Sequence, residues 1–305
     1  MIRFLFRRLL LTIPVLVGVA TLVFSLIHLV PGDPVQAMLG DSASPEDMAE
    51  MRTRLGLDRP LAVQYVAFVK GAATGDLGTS LRTNRAVISD ITERLPATFE
   101  LAGAAMTAAI LIALPLGIVA AVWAGTRVDH AATTLALVGI SMPTFWLGPL
   151  LAIVFSVSLG WFPVSGRGTP AHLVLPAITL SVVSIAGTMR YQRTAMLEAL
   201  RFPYILTARA KGLTERQVLW HGWRNALFPV LTLFGLWLPI LVSGSVFVES
   251  VFAWPGLGSL AAAAVGNRDY PLLMGAAILV AGMVVLAGFL TDIAYALLDP
   301  RVRFS

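Results

Sequence analysis

Six apolar runs of about twenty residues or more recur along this chain, and they restrict it to membrane-spanning helices. Lipid offers no partner to a backbone N–H or C=O, and a helix satisfies both within a single segment. The runs fall at about Leu9–Val30, Phe99–Ala124, Ala131–Gly160, His172–Met189, Leu227–Val248 and Leu272–Leu298. The third is longer than a span needs and is expected to be broken by Pro143 and Pro149. Composition agrees: only 13% of the 305 residues are charged and mean hydropathy is +0.81, against about 25% charged in soluble domains. The expected fold class is an all-α integral membrane protein with six transmembrane helices. With no cysteine in the chain, disulfides and thiolate metal ligands are excluded.

Arg3, Arg7 and Arg8 precede the first run in the manner of a signal peptide. That run is too long for a signal h-region, and Pro31-Gly32-Asp33-Pro34 follows it in place of a small-x-small cleavage site. It is expected to stay as an anchor.

Lys and Arg placement sets the orientation. With the N-terminus inside, the inner segments hold 13 of the 22 basic residues, from Arg3 through Arg209, Lys211 and Arg216 to Arg303. Seven of the other nine lie in the long first loop, where the rule has little weight. Most acids, from Asp33 through Glu100 with Glu249 and Asp269, fall outside. Both termini are therefore expected in the cytoplasm. The pI near 10.1 then reflects topology and lipid headgroups, not nucleic acid.

The expected layout is residues 1–30 as N-terminal end and first helix, and 31–96 as an extracytoplasmic cap. Residues 97–298 form the main membrane domain, and 299–305 a cytoplasmic end. The cap reads as small and mainly helical, with Ser44-Pro45-Glu46-Asp47 opening a helix and Gly56, Pro60, Gly75 and Gly78 as punctuation. Small residues in the second and fifth runs, Ser243 and Ser245 among them, permit close helix approach.

One connection stands apart, 190–226. Pro203 ends the preceding helix, Tyr204–Lys211 has room for two helical turns, and Gly212 sits where a helix stops with positive φ. Thr214 and Gln217 have capping-box spacing for a second helix. The small Ala208 and Ala210 flank Arg209 and Lys211, which suits enclosure in a partner's groove. It equally suits an interfacial helix held by anionic headgroups.

Here the chain resembles the ABC importer permeases of the dipeptide/oligopeptide/nickel family. The matching residues are Tyr204, Thr207-Ala208-Arg209-Ala210-Lys211-Gly212-Leu213 and Arg224-Asn225-Ala226-Leu227 with Pro229. Further strings cover nearly the whole chain in order: Pro31-Gly32-Asp33-Pro34, Leu55–Pro60, Gly75-Asp76-Leu77-Gly78, Glu249–Gly258, Arg268-Asp269-Tyr270-Pro271 and Asp299-Pro300-Arg301. The long first loop is like that of the first permease of the pair. The acid that opens the motif in many other ABC permeases is replaced here by Leu206 or Thr207.

The resemblance implies a type I ABC importer permease fold, in a bacterial or archaeal inner or plasma membrane. It implies half of a translocation pathway for di- or oligopeptides or a related solute such as chelated nickel. It also implies the partners: a homologous second permease, two ATPase subunits or domains that receive residues 204–213, and an extracytoplasmic binding protein. ATP and Mg would belong to the ATPases, and this chain would bind no cofactor. In agreement, the sequence has no G-x-x-x-x-G-K-[ST] phosphate loop.

No catalytic constellation is present, and His28, His130, His172 and His221 lack metal-ligand spacing. Glu249, Phe252, Trp254, Pro255, Gly256 and Gly258 read as a lid on the binding-protein side, or as an interfacial aromatic anchor. Asp292 in the last run faces a cavity or reaches the interface as a helix-end acid. Ser243 and Ser245 line a polar path or bond their own helix. The competing function class is an ion-gradient-driven carrier, which would show inverted repeats and midplane ionisable relays.

Overall fold

A computed structural model describes residues 2–29, 33–39 and 43–298. Pro31, Gly32 and the terminal segment 299–305, with Asp299-Pro300-Arg301, lie outside the described residues. The helices are α1 (Ile2–Leu29), α2 (Pro34–Leu39), α3 (Pro45–Leu55), α4 (Leu61–Thr74), α5 (Val87–Val122) and α6 (Arg127–Ser141). They continue with α7 (Thr144–Leu151, prolonged by a π-helix over Ala152–Ser158), α8 (Pro170–Arg201), α9 (Pro203–Ala210), α10 (Glu215–Val251), α11 (Leu257–Gly266) and α12 (Tyr270–Leu298). No strand occurs among the described residues; a single bridge joins Thr79 and Ala86.

Four of these helices, α5, α8, α10 and α12, are long and apolar enough to cross a bilayer, and a bent pair makes a fifth. The apolar part of α1 is described over Leu10–Ser25, sixteen residues. The third run is broken at the first of its two prolines: α6 and the π-extended α7 meet at 109°. The bend falls at Met142 and Pro143. Pro143 drives the residue before it out of the helical region, and Met142 is extended at φ −82°, ψ 121°. Pro149 leaves α7 unbroken, and the wider π turn begins three residues after it.

The chain divides into two compact units. The first comprises Met1–Thr98 and Pro255–Phe289. Its small helices follow their capping signals. Ser44 accepts from the Asp47 N–H at 3.1 Å while the Ser44 N–H reaches the Asp47 carboxylate at 3.2 Å, and Gly56 closes α3 at φ +66°. Val87, Ile91, Leu257, Leu260, Ala264 and Leu272 form its buried core. Two buried hydrogen bonds fasten α11 and α12: Thr98 Oγ1 accepts from the Leu257 N–H at 2.8 Å, and Ser80 Oγ donates to Asp269 at 2.5 Å. Asp269 in turn accepts from the Leu272 N–H in the first turn of α12.

The second unit comprises Phe99–Trp254 and Leu290–Ser305. Here α8 is the central element and packs against α6, α7 and α10. Small residues set the crossings. A Cβ on Gly117 would lie 2.6 Å from Gln192 Cβ and 2.8 Å from the Met189 carbonyl; one on Gly187 would lie 2.7 Å from the Trp237 ring. Apolar association is weak in lipid, and such close approach is what holds helices together there.

Candidate functional site

The polar corner between α8 and α10 is much shorter than the expected connection over 190–226. Helix α8 runs on to Arg201 and α10 begins at Glu215. Hydropathy ended both helices too early. Their polar ends still have an apolar side, where Met196, Ala199, Ala226 and Ala121 pack into one buried cluster.

Local rules shape the corner. Pro203 forces Phe202 to φ −70°, ψ 148°, which ends α8 and lets Pro203 open α9. Gly212, at φ +77°, ends α9. The Leu213 N–H donates to Ala208 O at 3.3 Å and the Gly212 N–H to Arg209 O at 2.9 Å, the paired bonds of a Schellman motif. Thr214 and Gln217 then close a reciprocal capping box at the start of α10.

Two side chains with no exposure anchor the corner, Ile205 in α9 and Val218 in α10. Almost everything else on α9 faces outward. Phe202 and Tyr204 stack with centroids 6.0 Å apart, and Leu206 is 65% exposed. Thr207, Arg209, Ala210, Lys211 and Gly212 are exposed, and Ala208 and Leu213 are half-buried. Arg209 is not a free cation. Its Nε and Nη2 donate to the two carboxylate oxygens of Glu215 at 3.0 and 3.1 Å, and this bonding raises its already high pKa. Glu215 was not among the residues the sequence singled out; the six-residue separation across a glycine corner is its only signal.

The expected lid residues run from the end of α10 to the start of α11. Glu249 lies inside α10, with no exposure, and Phe252 and Trp254 are 1% exposed each. The Trp254 N–H returns to Glu249 O at 2.8 Å over Ala253, which is held at φ +46°. Pro255 is half-buried, and Gly256 and Gly258 are buried at the start of α11. An interfacial anchor would expose the indole of Trp254, and here it is enclosed. Ser243 and Ser245 both bond their own helix, to Ile240 O and Val242 O. Asp292 is half-buried within α12.

Two charged pairs escaped the sequence reading. Asp129, in the first turn of α6, receives both Nε and Nη2 of Arg193 on α8 and the Gly125 N–H. Glu100 receives Nε and Nη2 of Arg167, whose guanidinium lies 5.8 Å from the Trp254 ring centroid. Their partners are 64 and 67 residues apart in sequence, beyond any local spacing rule.

Long, closely packed apolar helices with an exposed helical corner between two of them define a multi-pass membrane protein. The chain belongs to the family described as binding-protein-dependent transport system inner membrane component, which it matches over residues 113–304; residues 1–102 match that family's N-terminal segment. It is thus a multi-pass inner-membrane permease subunit of an ABC importer, and the ion-gradient carrier is set aside. The chain is 44% identical to the di/tripeptide transport system permease protein DppB of Pseudomonas aeruginosa, with 99% of each chain covered. It is 40% identical to the dipeptide permease DppB of Alkalihalophilus pseudofirmus and 39% identical to the oligopeptide permease AppB of Bacillus subtilis, each over the full length of both chains.

Proposed function

We propose that this chain forms half of the transmembrane path of an ATP-driven importer of di- or oligopeptides. A homologous second permease would supply the other half, and an extracytoplasmic binding protein would deliver the cargo. Helix α9 is the proposed docking element for a cytoplasmic ATPase, with Tyr204, Thr207–Leu213 and the Phe202 ring as its contact face. The observation that carries this reading is the α9 corner. It is exposed, with the aromatic and aliphatic Phe202, Tyr204 and Leu206 beside the basic Arg209 and Lys211. Yet Ile205 within it and Val218 next to it are fully buried, and it joins two helices that pack on each other. An ATPase that moves α9 would move α8 and α10 with it, which is the two-state input an alternating pathway needs. Both termini and the corner are proposed to lie in the cytoplasm. On the opposite side, the exposed Val251 and Ala253 of the α10–α11 turn are offered to the binding protein.

Affinity purification of the tagged chain from its own cells tests this reading. It should recover an ATPase and a second permease, and ATP-dependent peptide uptake should be reconstituted only with both. Peptide uptake by the chain alone would remove the proposal.

A further inference from the structure

Just past the corner, the first three turns of α10 and Ile118 of α5 enclose an open groove of about 790 Å³. Its walls combine several chemistries. Trp220 and Trp223 stand together with ring centroids 4.8 Å apart, and Trp220 is 59% exposed. Ile118 and Leu219 give an apolar side. Arg216 gives a cationic one and His221 a polar one.

No acid lines the groove, and the neighbouring Glu215 is committed to Arg209. Arg216 is in none of the ion pairs of the described residues. Its charge is therefore unanswered among them. Paired indoles beside basic side chains at the end of a spanning helix match headgroup depth, where Trp prefers to sit and basic pockets between helices collect anionic lipid.

We propose that this groove holds an anionic phospholipid of the cytoplasmic leaflet. The phosphate would lie against Arg216 and His221, and the first acyl methylenes against the indoles, Ile118 and Leu219. Charge complementarity selects lipid over a protein segment: the groove offers a cation, polar donors and apolar surface, the chemistry of a lipid's headgroup region. The inference rests on the cytoplasmic placement of the corner.

The test uses the purified transporter complex in nanodiscs of phosphatidylglycerol and phosphatidylcholine in equal parts, with a photoactivatable analogue of each lipid. Crosslinks at 216–223 should form with the phosphatidylglycerol probe in preference to the phosphatidylcholine probe. Arg216→Gln should weaken retention about five-fold, the usual effect of one surface cation. Arg216→Lys should restore most of it, and Arg82→Gln, on the other unit, should change nothing. Equal crosslinking by both probes would overturn the proposal. So would unchanged retention in Arg216→Gln combined with His221→Gln, or a groove crosslinked only to a partner subunit.

Sidedness is read separately, from Lys211→Cys in a sequence that has no other cysteine. Labelling from outside intact cells sinks the cytoplasmic placement. Protection there without lipid preference sinks only the lipid site.

Discussion

Arg193 grips Asp129 with Nε and Nη2 at 2.6 and 2.7 Å, fixing the first turn of α6 to the C-terminal third of α8. The Asp129 side chain is only 6% exposed and the Arg193 side chain 28%. The Gly125 N–H, at 2.9 Å, completes the cradle. Charge burial at this level is tolerated only with such complete pairing, and removal of one partner leaves the other stranded.

Asp129→Ala is therefore expected to cost about 2–3 kcal/mol, below the fully buried limit because Arg193 reaches water. Asp129→Ala with Arg193→Met should cost less than Asp129→Ala alone. Thermal unfolding of the detergent-solubilised protein reads both, and a double variant that is worse than the single would show that the pair is not the cause.

At Gly212 any residue with a Cβ must adopt a left-handed backbone, a strain of about 1–2 kcal/mol. A Cβ placed there would meet no neighbouring atom within 4 Å, so the effect is conformational and not steric. Gly212→Val should abolish transport with membrane insertion retained. Gly212→Asn should retain part of it, since Asn tolerates φ > 0. Normal uptake by the valine variant removes the corner from the mechanism.

The pairing of Arg209 with Glu215 predicts a split between two neighbouring cations. Lys211→Glu should weaken ATPase co-purification several-fold and in a salt-dependent manner. Arg209→Glu should also disorder the corner, by placing two acids together, and Glu215→Arg added to it should recover ATPase binding. Pull-down yields across a salt series decide; identical behaviour of the two cations would contradict the pairing.

Gly117→Ala should destabilise the protein by about 1–3 kcal/mol. Its new methyl would collide with the Met189 backbone, which cannot swing aside as a side-chain tip can. Gly103→Ala, which meets nothing within 4 Å, is the matched control. Equal melting temperatures for the two variants would rule out a close α5–α8 crossing.

The corner was legible because each of its signals acts within four residues: Pro203 on Phe202, Gly212 on its own φ, and Thr214 on Gln217. The same proline and threonine mark the helix ends on either side, but hydropathy alone does not. Arg190–Arg201 looks like loop by that measure, and its apolar side shows only in the packing of Met196 and Ala199. The third span shows the same limit. Pro143 announces a break in the sequence, but the size and direction of the bend come from what α6 and α7 pack against. Trp254 misled for a related reason: a Trp-Pro-Gly string marks a turn without saying which way its indole points.

Helix α8 has 32 residues and α10 has 37, so at 1.5 Å per residue they measure about 48 and 55 Å. The hydrocarbon layer is only about 30 Å thick. Each helix therefore has length to spare beyond that layer, and α9 joins their polar ends. A tilt of only about 5° about the middle of α8 sweeps that end sideways by about 2 Å. On the proposed reading, small strokes delivered at α9 would be carried toward the far ends of both helices, with Pro176, Pro229 and Pro239 as the points where they can flex.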